Sequence, residues 1–334
     1  NKNNNNCNGT GELYLKTNAV PLANEVDDLE LCDDAIDGDG TNGFVQSFDL
    51  ASKTLEILNG QNPDDFSVTY HLTATDANTG VNAQSSPFTN TVKDTQPIYV
   101  RVTNNLTGCF TDHTFFNLIV NKIPVANFVN DIEICDDDSD GSARNGFSQS
   151  IDLEAQTPLI LGTQDSSIHE VTYHRSLSDA QTNSNPLVSP YSNLEVNRET
   201  IYVRITNTSS MCTNDISNFD VIVNPEPTYV PPTNYASCDD NVDGDDANGI
   251  IQNIDLDSKI TKILGASQSV NDFTVTFHST PADASSGNNP LVSPYQNSNP
   301  TETIFVRVED TNTNCFAVSI KSPSSLSNIM PLLT

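Results

Sequence analysis

The chain has no tryptophan, two methionines, and only 14 lysines and arginines against 44 aspartates and glutamates, for a formal net charge of −30. So little positive charge excludes a nucleic-acid binder or a protein held on an anionic membrane surface. No apolar run approaches the roughly 18 residues of a spanning helix, so membrane insertion is not expected. Also missing are G-x-S-x-G, H-E-x-x-H, the P-loop and G-x-G-x-x-G, and the carboxylates are too many to nominate a glycosidase pair. The sequence therefore reads as no enzyme. The chain opens at Asn1 in a polar tract, without initiator Met or signal peptide, which reads as an internal or processed fragment. What is abundant is Asn, Thr, Ser and Asp, a composition of short strands and polar turns.

Self-similarity sets the organisation. Cys32, Cys135 and Cys238 are spaced by 103 residues, as are Cys109, Cys212 and Cys315, and 77 residues separate first from second Cys in every copy. VTYH at Val68–His71 and Val171–His174 returns as VTFH at Val275–His278; IYVRV at Ile98–Val102 returns at Ile201–Ile205 and Ile304–Val308. The predicted divisions are a preceding copy's tail at 1–24 and three modules at 25–124, 125–227 and 228–334. Residues 8–24 carry stray strand material, with Cys7 about where a second Cys would fall. After Cys315 the text matches the earlier closing strands only loosely.

Inside a module, Phe66, Val68 and Tyr70 alternate with polar neighbours, as Val100 and Val102 do, so each strand buries one face. Seven or so short strands per module predict an all-β array of tandem immunoglobulin-like sandwiches. The segment Asp49–Leu58 has room for one helical turn. Proline-containing links at Asn121–Phe128 and Asn224–Tyr235 predict semi-rigid beads on a string.

Six repeat-bound cysteines imply disulfides and an oxidising, extracellular setting. Two local pairings compete, Cys32–Cys109 within a module and Cys109–Cys135 across a junction. Strand length separates the second pair, so the first is expected, closing a loop that stabilises by ~4 kcal/mol in the chain-entropy model.

The densest chemistry follows each first Cys: CDDAIDGDGTNGF from Cys32, CDDDSDGSARNGF from Cys135 and CDDNVDGDDANGI from Cys238. Asp136, Asp138, Asp140 and Asp239, Asn241, Asp243 match the first half of a calcium loop, where alternate oxygens on a tight turn converge on one ion. Copy one offers Asp33, Asp34, Asp37 and Asp39, with Ala35 breaking the pattern; Asp245 adds to copy three. The twelfth position is Phe or Ile rather than Glu, so Asp49, Asp152 or Asp255 would have to complete a Ca²⁺ shell. The alternative is a solvated turn of ordinary turn-forming residues.

His71, His174 and His278 each precede an Asp by five residues and are expected on an outer strand face, with the Asp opening a turn. Arg101, Arg204 and Arg307 invite a local ion pair or aromatic stacking.

The module, with C-D-D…D-G, V-T-Y-H, NPLVSPY at Asn185–Tyr191 and Asn289–Tyr295, and I-Y-V-R-V…G-C, resembles a repeat of very large surface proteins of Bacteroidetes over residues 25–316. That resemblance implies type IX secretion, outer-surface display, adhesion and a link to gliding motility. Expected partners are neighbouring repeats, surface polysaccharide or other cells, and copies of itself. Two other functions stay open: a filament subunit joined by strand addition, and a carbohydrate-binding module of a secreted hydrolase.

Overall fold

A four-residue strand, β1 (Leu29–Cys32), opens the first module, followed by β2 (Phe66–His71), β3 (Thr95–Asn104) and β4 (Phe110–Asn121). The computed structural model describes residues 11–34, 36 and 38–319. The strands form one sheet in the order β1-β4-β3-β2, antiparallel except that β1 runs parallel to β4. The second module repeats it with β5 (Ile132–Cys135), β6 (His169–His174), β7 (Arg198–Asn207) and β8 (Thr213–Asn224), in the order β5-β8-β7-β6. In the third, three strands are described, β9 (Phe273–His278), β10 (Phe305–Asp310) and β11 (Phe316–Val318), ordered β11-β10-β9. Tandem all-β repeats are what the alternation predicts.

Four strands in each of the first two sheets, rather than seven or so per module, is a difference with a physical cause. The segment between β2 and β3 holds Asn82 and Asp94 at positive φ and Pro87, which has no N–H to give to a ladder. On the core side the sheet is therefore faced by a single bridge, Phe48 to Phe88, and the short helix α1 (Thr54–Leu58), while helix α2 (Ala74–Thr79) covers the other face, where Arg101 donates to its carbonyls. Ile98, Val100 and Val102 of β3 and Phe116 and Leu118 of β4 point into a core with Phe48, Leu50, Ile57 and Leu58. Each such side chain contributes ~1.5–3 kcal/mol by leaving water. The equivalent helices are α3 (Thr157–Leu161), α4 (Leu177–Thr182), α5 (Ile260–Leu264) and α6 (Pro281–Ser286).

Helix α2 begins where Thr73 accepts from the Asp76 N–H and its hydroxyl meets the Asp76 carboxylate at 2.6 Å, a capping box. Ser176 with Asp179 and Thr280 with Asp283 repeat it. The Thr73 hydroxyl, then the Asn82 amide, hold the Asp76 carboxyl below its ordinary value. That contribution is present above the usual carboxylate range and lost as pH falls through the lowered value. An NMR titration should find Asp76, Asp179 and Asp283 below the ordinary Asp value, and Thr73→Ala should return Asp76 toward it.

Contacts divide the chain into two compact units, each containing one disulfide. The first takes residues up to Ala126 with Thr163–Val171 and Ile205–Asn214; the second takes Asn127–Gly162, Thr172–Arg204 and Asp215 onward.

Candidate functional site at the module junction

Cys32 bonds to Cys212, and Cys135 to Cys315, with Cα–Cα separations of 5.5 and 5.4 Å. The first cysteine of one module is thus joined to the second cysteine of the next. This corrects both expected pairings, Cys32–Cys109 and Cys109–Cys135. The cause is the direction of β1. Because β1 runs parallel to β4, Cys32 lies level with Asn121, where the chain leaves the module. Cys109 sits just before the other end of β4, a strand of 12 residues, roughly 40 Å away at ~3.3 Å per residue. Cys212 instead lies 3.8 Å from the Asn121 carbonyl oxygen. Cys109 and Cys238 are free thiols, half-buried and exposed respectively, and Cys7 lies outside the described residues.

The junction is fixed by hydrogen bonds as well. The Gln164 side chain clasps both main-chain groups of Val125, accepting from its N–H at 2.9 Å and donating to its carbonyl at 2.6 Å. Gln61 does the same to Leu22, and Gln268 to Thr228. A second bond per copy runs from Asn24, Asn127 and Val230 N–H to the Ile57, Ile160 and Ile263 carbonyls. Leu22 and Asn24, counted by sequence with the preceding tail, thus bond to the first module. The entering linker is pinned by the module it enters, beyond what proline alone supplies.

The acidic loops start at the same place. The first Asp of each is an anchor: Asp33, Asp136 and Asp239 accept from the Gly43, Gly146 and Gly249 N–H at 2.8, 2.7 and 2.6 Å. Asp34 accepts from Ile36 and Gln46, Asp39 from Thr41, and Asp140 from Ser142 and Asn145. Asp243 accepts from Asp245 and Asn248, and Asp245 from Ala247. These are turns closed by their own carboxylates. The bond from Asn248, then that from the Asp245 N–H, lowers the Asp243 carboxyl below its ordinary value. Crowding shows at the loop's edge: burial first, with Asp138, Asp136 and Asp137 against the pull of Arg144, raises the Glu226 carboxyl.

The residues expected to close a calcium shell lie with the cis-proline turns instead. Asp49 and Asp152 accept from the Ser86 and Ser189 hydroxyls at 2.7 and 3.0 Å, and Asp255 is 3.5 Å from Ser293 Oγ. Asp138 is exposed and its carbonyl accepts from Gly141; Asn241 uses its carbonyl for Gly244. Asp37 and Ala35 lie outside the described residues. Among the described residues no three His, Cys, Asp or Glu side chains stand together as metal ligands, so these donors do not fit a calcium cage in this arrangement.

The histidines are buried, not on an outer face. His174 Nδ1 meets the Ser184 carbonyl at 2.8 Å and Nε2 the Thr172 hydroxyl at 2.9 Å; His71 and His278 repeat the pattern. Replacing His174 by Ala is expected to destabilise the module by ~2–4 kcal/mol, through the cavity and the unpaired Ser184 carbonyl. Urea unfolding measures this. Arg101 and Arg307 stack on Phe110 and Phe316 at 3.4 and 3.5 Å and donate to the last carbonyls of α2 and α6, as the stacking expectation had it. Arg204 caps α4 likewise, with Asp215 at 3.8 Å.

Sequence reasoning missed Asn90, Asn193 and Asn297. Asn193 is buried, accepts from Ser148 N–H and donates to the Gly146 and Glu195 carbonyls, tying the acidic loop to the turn before β7. Its signal is S-P-F/Y-x-N, present in every copy.

A disulfide joining successive repeats is the feature that places this chain. A family model described as the Flavobacterium inter-domain disulphide bond domain matches residues 28–124, 131–227 and 234–322. The chain belongs to that family. No curated protein matches it. Among solved structures it is similar to Drosophila N-cadherin EC1-4, at 10% identity over 88% of this chain and 72% of that one, TM-score 0.17. Mouse cadherin-23 EC22-24 gives 10% identity over 88% and 93%, TM-score 0.18. Superposition that poor carries no functional argument. In this inter-domain disulphide family member, both disulfides belong to an oxidising, extracytoplasmic setting, and among the described residues no helix is long and apolar enough to cross a membrane.

Proposed function

We propose that these modules are a load-bearing structural segment of an adhesin on the outer cell surface, with no catalysis of their own. One observation supports this most: each disulfide crosses a junction, so covalent bonds reinforce the place where a tandem array separates under load. A disulfide within a module would protect that module; one between modules protects their connection. The clasped linkers act in the same direction. In this reading type IX export, adhesion and gliding are the setting, and surface polysaccharide or a neighbouring cell is what the parent protein grips. Antibody labelling of intact cells tests the location; signal only after permeabilisation would overturn it. Attachment strength tests the role, and cells should detach more easily once these disulfides are reduced.

Calcium at the acidic loops is the part of this reading that the arrangement favours least. Melting with and without chelator decides it. A midpoint several degrees lower on chelation supports a structural ion, and an unchanged one leaves turns closed by their own carboxylates.

A further inference from the structure

Five asparagines in the chain are followed by glycine, at Asn8, Asn42, Asn59, Asn145 and Asn248. In such a pair the glycine nitrogen can attack the asparagine side-chain carbonyl carbon, because no Cβ on the second residue stands in the way. The N–H proton is lost, ammonia leaves from the side chain, and a succinimide ring closes. Water then opens the ring at either carbonyl, giving aspartate or isoaspartate. Asn42, Asn145 and Asn248 recur by the repeat, and the fold holds them alike.

The Gly146 N–H donates to buried Asp136 at 2.7 Å. The Asn145 side chain is held at both ends, Nδ2 donating to Asp140 at 2.7 Å and Oδ1 accepting from the Phe147 N–H at 3.0 Å. Asp239, Asp243 and Ile250 hold Gly249 and Asn248 in the same way. In the first module Asp33 accepts from the Gly43 N–H, and Asn42 Oδ1 from the Phe44 N–H. Attack requires the glycine nitrogen to give up its proton beside a carboxylate, and that like charge opposes the anion. A carboxylate is also far too weak a base to take an amide proton itself.

Asn59 has none of this. It caps α1 in the left-handed conformation, φ +43°, at a position that Gly162 and Gly265 fill in the other two copies. Its own N–H bonds to the Leu55 carbonyl, but among the described residues neither its side chain nor the Gly60 N–H has a partner. Both residues are exposed, and a Cβ built on Gly60 would meet nothing within 4 Å. The exposure belongs to the position: Gly162 and Thr163, the counterparts one repeat on, are exposed with a whole module before them.

We propose that Asn59–Gly60 is a self-modification site, converting to aspartate and isoaspartate with water as the only co-reactant, and that the first Asp of each acidic loop withholds this reaction from Asn42, Asn145 and Asn248. The inference goes beyond the surface-segment reading and does not depend on it. Conversion has a local consequence. Isoaspartate adds a methylene to the main chain between Leu58 and Gln61, and Gln61 bonds to the Leu58 carbonyl through both its N–H and its Nε2, at 3.0 Å. The same side chain clasps Leu22. A lengthened main chain draws it out of position, so the converted chain releases the linker entering the first module.

The test is a time course of the full, disulfide-bonded chain in mildly alkaline, oxygen-labelled water, read by peptide mapping and mass spectrometry. Asn59 should take up label at least about tenfold faster than Asn42, Asn145 or Asn248, a ratio set by the bonds to a charged acceptor. In urea with the disulfides reduced, these rates should converge. Asn59→Gly, the residue of the other two copies, should abolish conversion there without lowering the melting temperature. Asp136→Asn should speed conversion at Asn145 about tenfold or more and leave Asn42 and Asn248 unchanged. If that variant unfolds the middle module, the comparison of native chain with urea decides alone. Hydrogen exchange at the Leu22 N–H should rise in the converted chain and not in Asn59→Gly. Native conversion at Asn59 no faster than at the other three, a difference that persists in urea, or a folded Asp136→Asn chain that converts like the parent overturns the proposal. Leu22 exchange unchanged by conversion overturns the release of the linker.

Discussion

Pulled at its two ends with both disulfides intact, the chain should yield no more than about 280 Å between Cys32 and Cys315, against about 1000 Å after reduction. The figure follows from connectivity. The shortest covalent route crosses from Cys32 to Cys212, returns along the 77 residues to Cys135, and crosses again to Cys315. Without the bonds the same interval is 283 residues, each reaching at most ~3.6 Å. Cys212→Ser leaves one bond and a route of 103 residues, hence about 370 Å. Single-molecule force spectroscopy with and without a reductant reads all three lengths. An unreduced chain that extends by the full 283-residue length would overturn the junction-stapling account.

The two loops overlap, and that overlap carries a consequence for stability. Each bond alone closes a stretch with a sequence separation of 180, worth about 5 kcal/mol in the chain-entropy model. Neither loop is confined to one module, so the stabilisation couples neighbours instead of hardening each separately. Unfolding the middle module loosens what holds both of its neighbours.

Much of this architecture was readable from the sequence, and the rest failed for definite reasons. The repeat and the alternating strands showed because periods of 103 and 2 are local, countable signals. The disulfide partners did not, because pairing depends on whether β1 runs with or against β4, and the four residues Leu29–Cys32 carry no mark of direction. The acidic loops were recognised as special, but a D-x-D-x-D spacing serves a turn closed by carboxylates as well as an ion. Helix α2 went unforeseen where a turn was expected at Asp76, because its six residues are too short to show a helical period, although Thr73-x-x-Asp76 is its capping box. The buried histidines looked like outward strand residues because the alternation Val68, Tyr70 places His71 on the polar face; α2 and the turn after it cover that face.

That combination of charge and burial sets the second large effect, at Gly146. This glycine has φ +79°, donates to buried Asp136, and its carbonyl accepts from Asn193 and from the Asn197 N–H. A Cβ added there would lie 2.3 Å from Asn197 Oδ1 and 2.8 Å from the Asn197 backbone nitrogen. The first atom can rotate away; the second belongs to the turn before β7 and cannot. Gly146→Ala therefore combines a disfavoured backbone angle with displacement of that turn, and should cost more than ~3 kcal/mol. Asp136→Ala leaves the Gly146 N–H buried without an acceptor and should cost ~1–3 kcal/mol. Asp138→Ala, on the exposed part of the same loop, should change stability by less than about 0.5 kcal/mol. Chemical denaturation of the three variants, read as the midpoint for the middle module, gives the order. Equal losses at Asp136 and Asp138 would mean that the loop acts through its summed charge. The expected gradient instead makes the first Asp of each acidic loop a main-chain anchor, and the acids beyond it, at Asp138, a soluble surface.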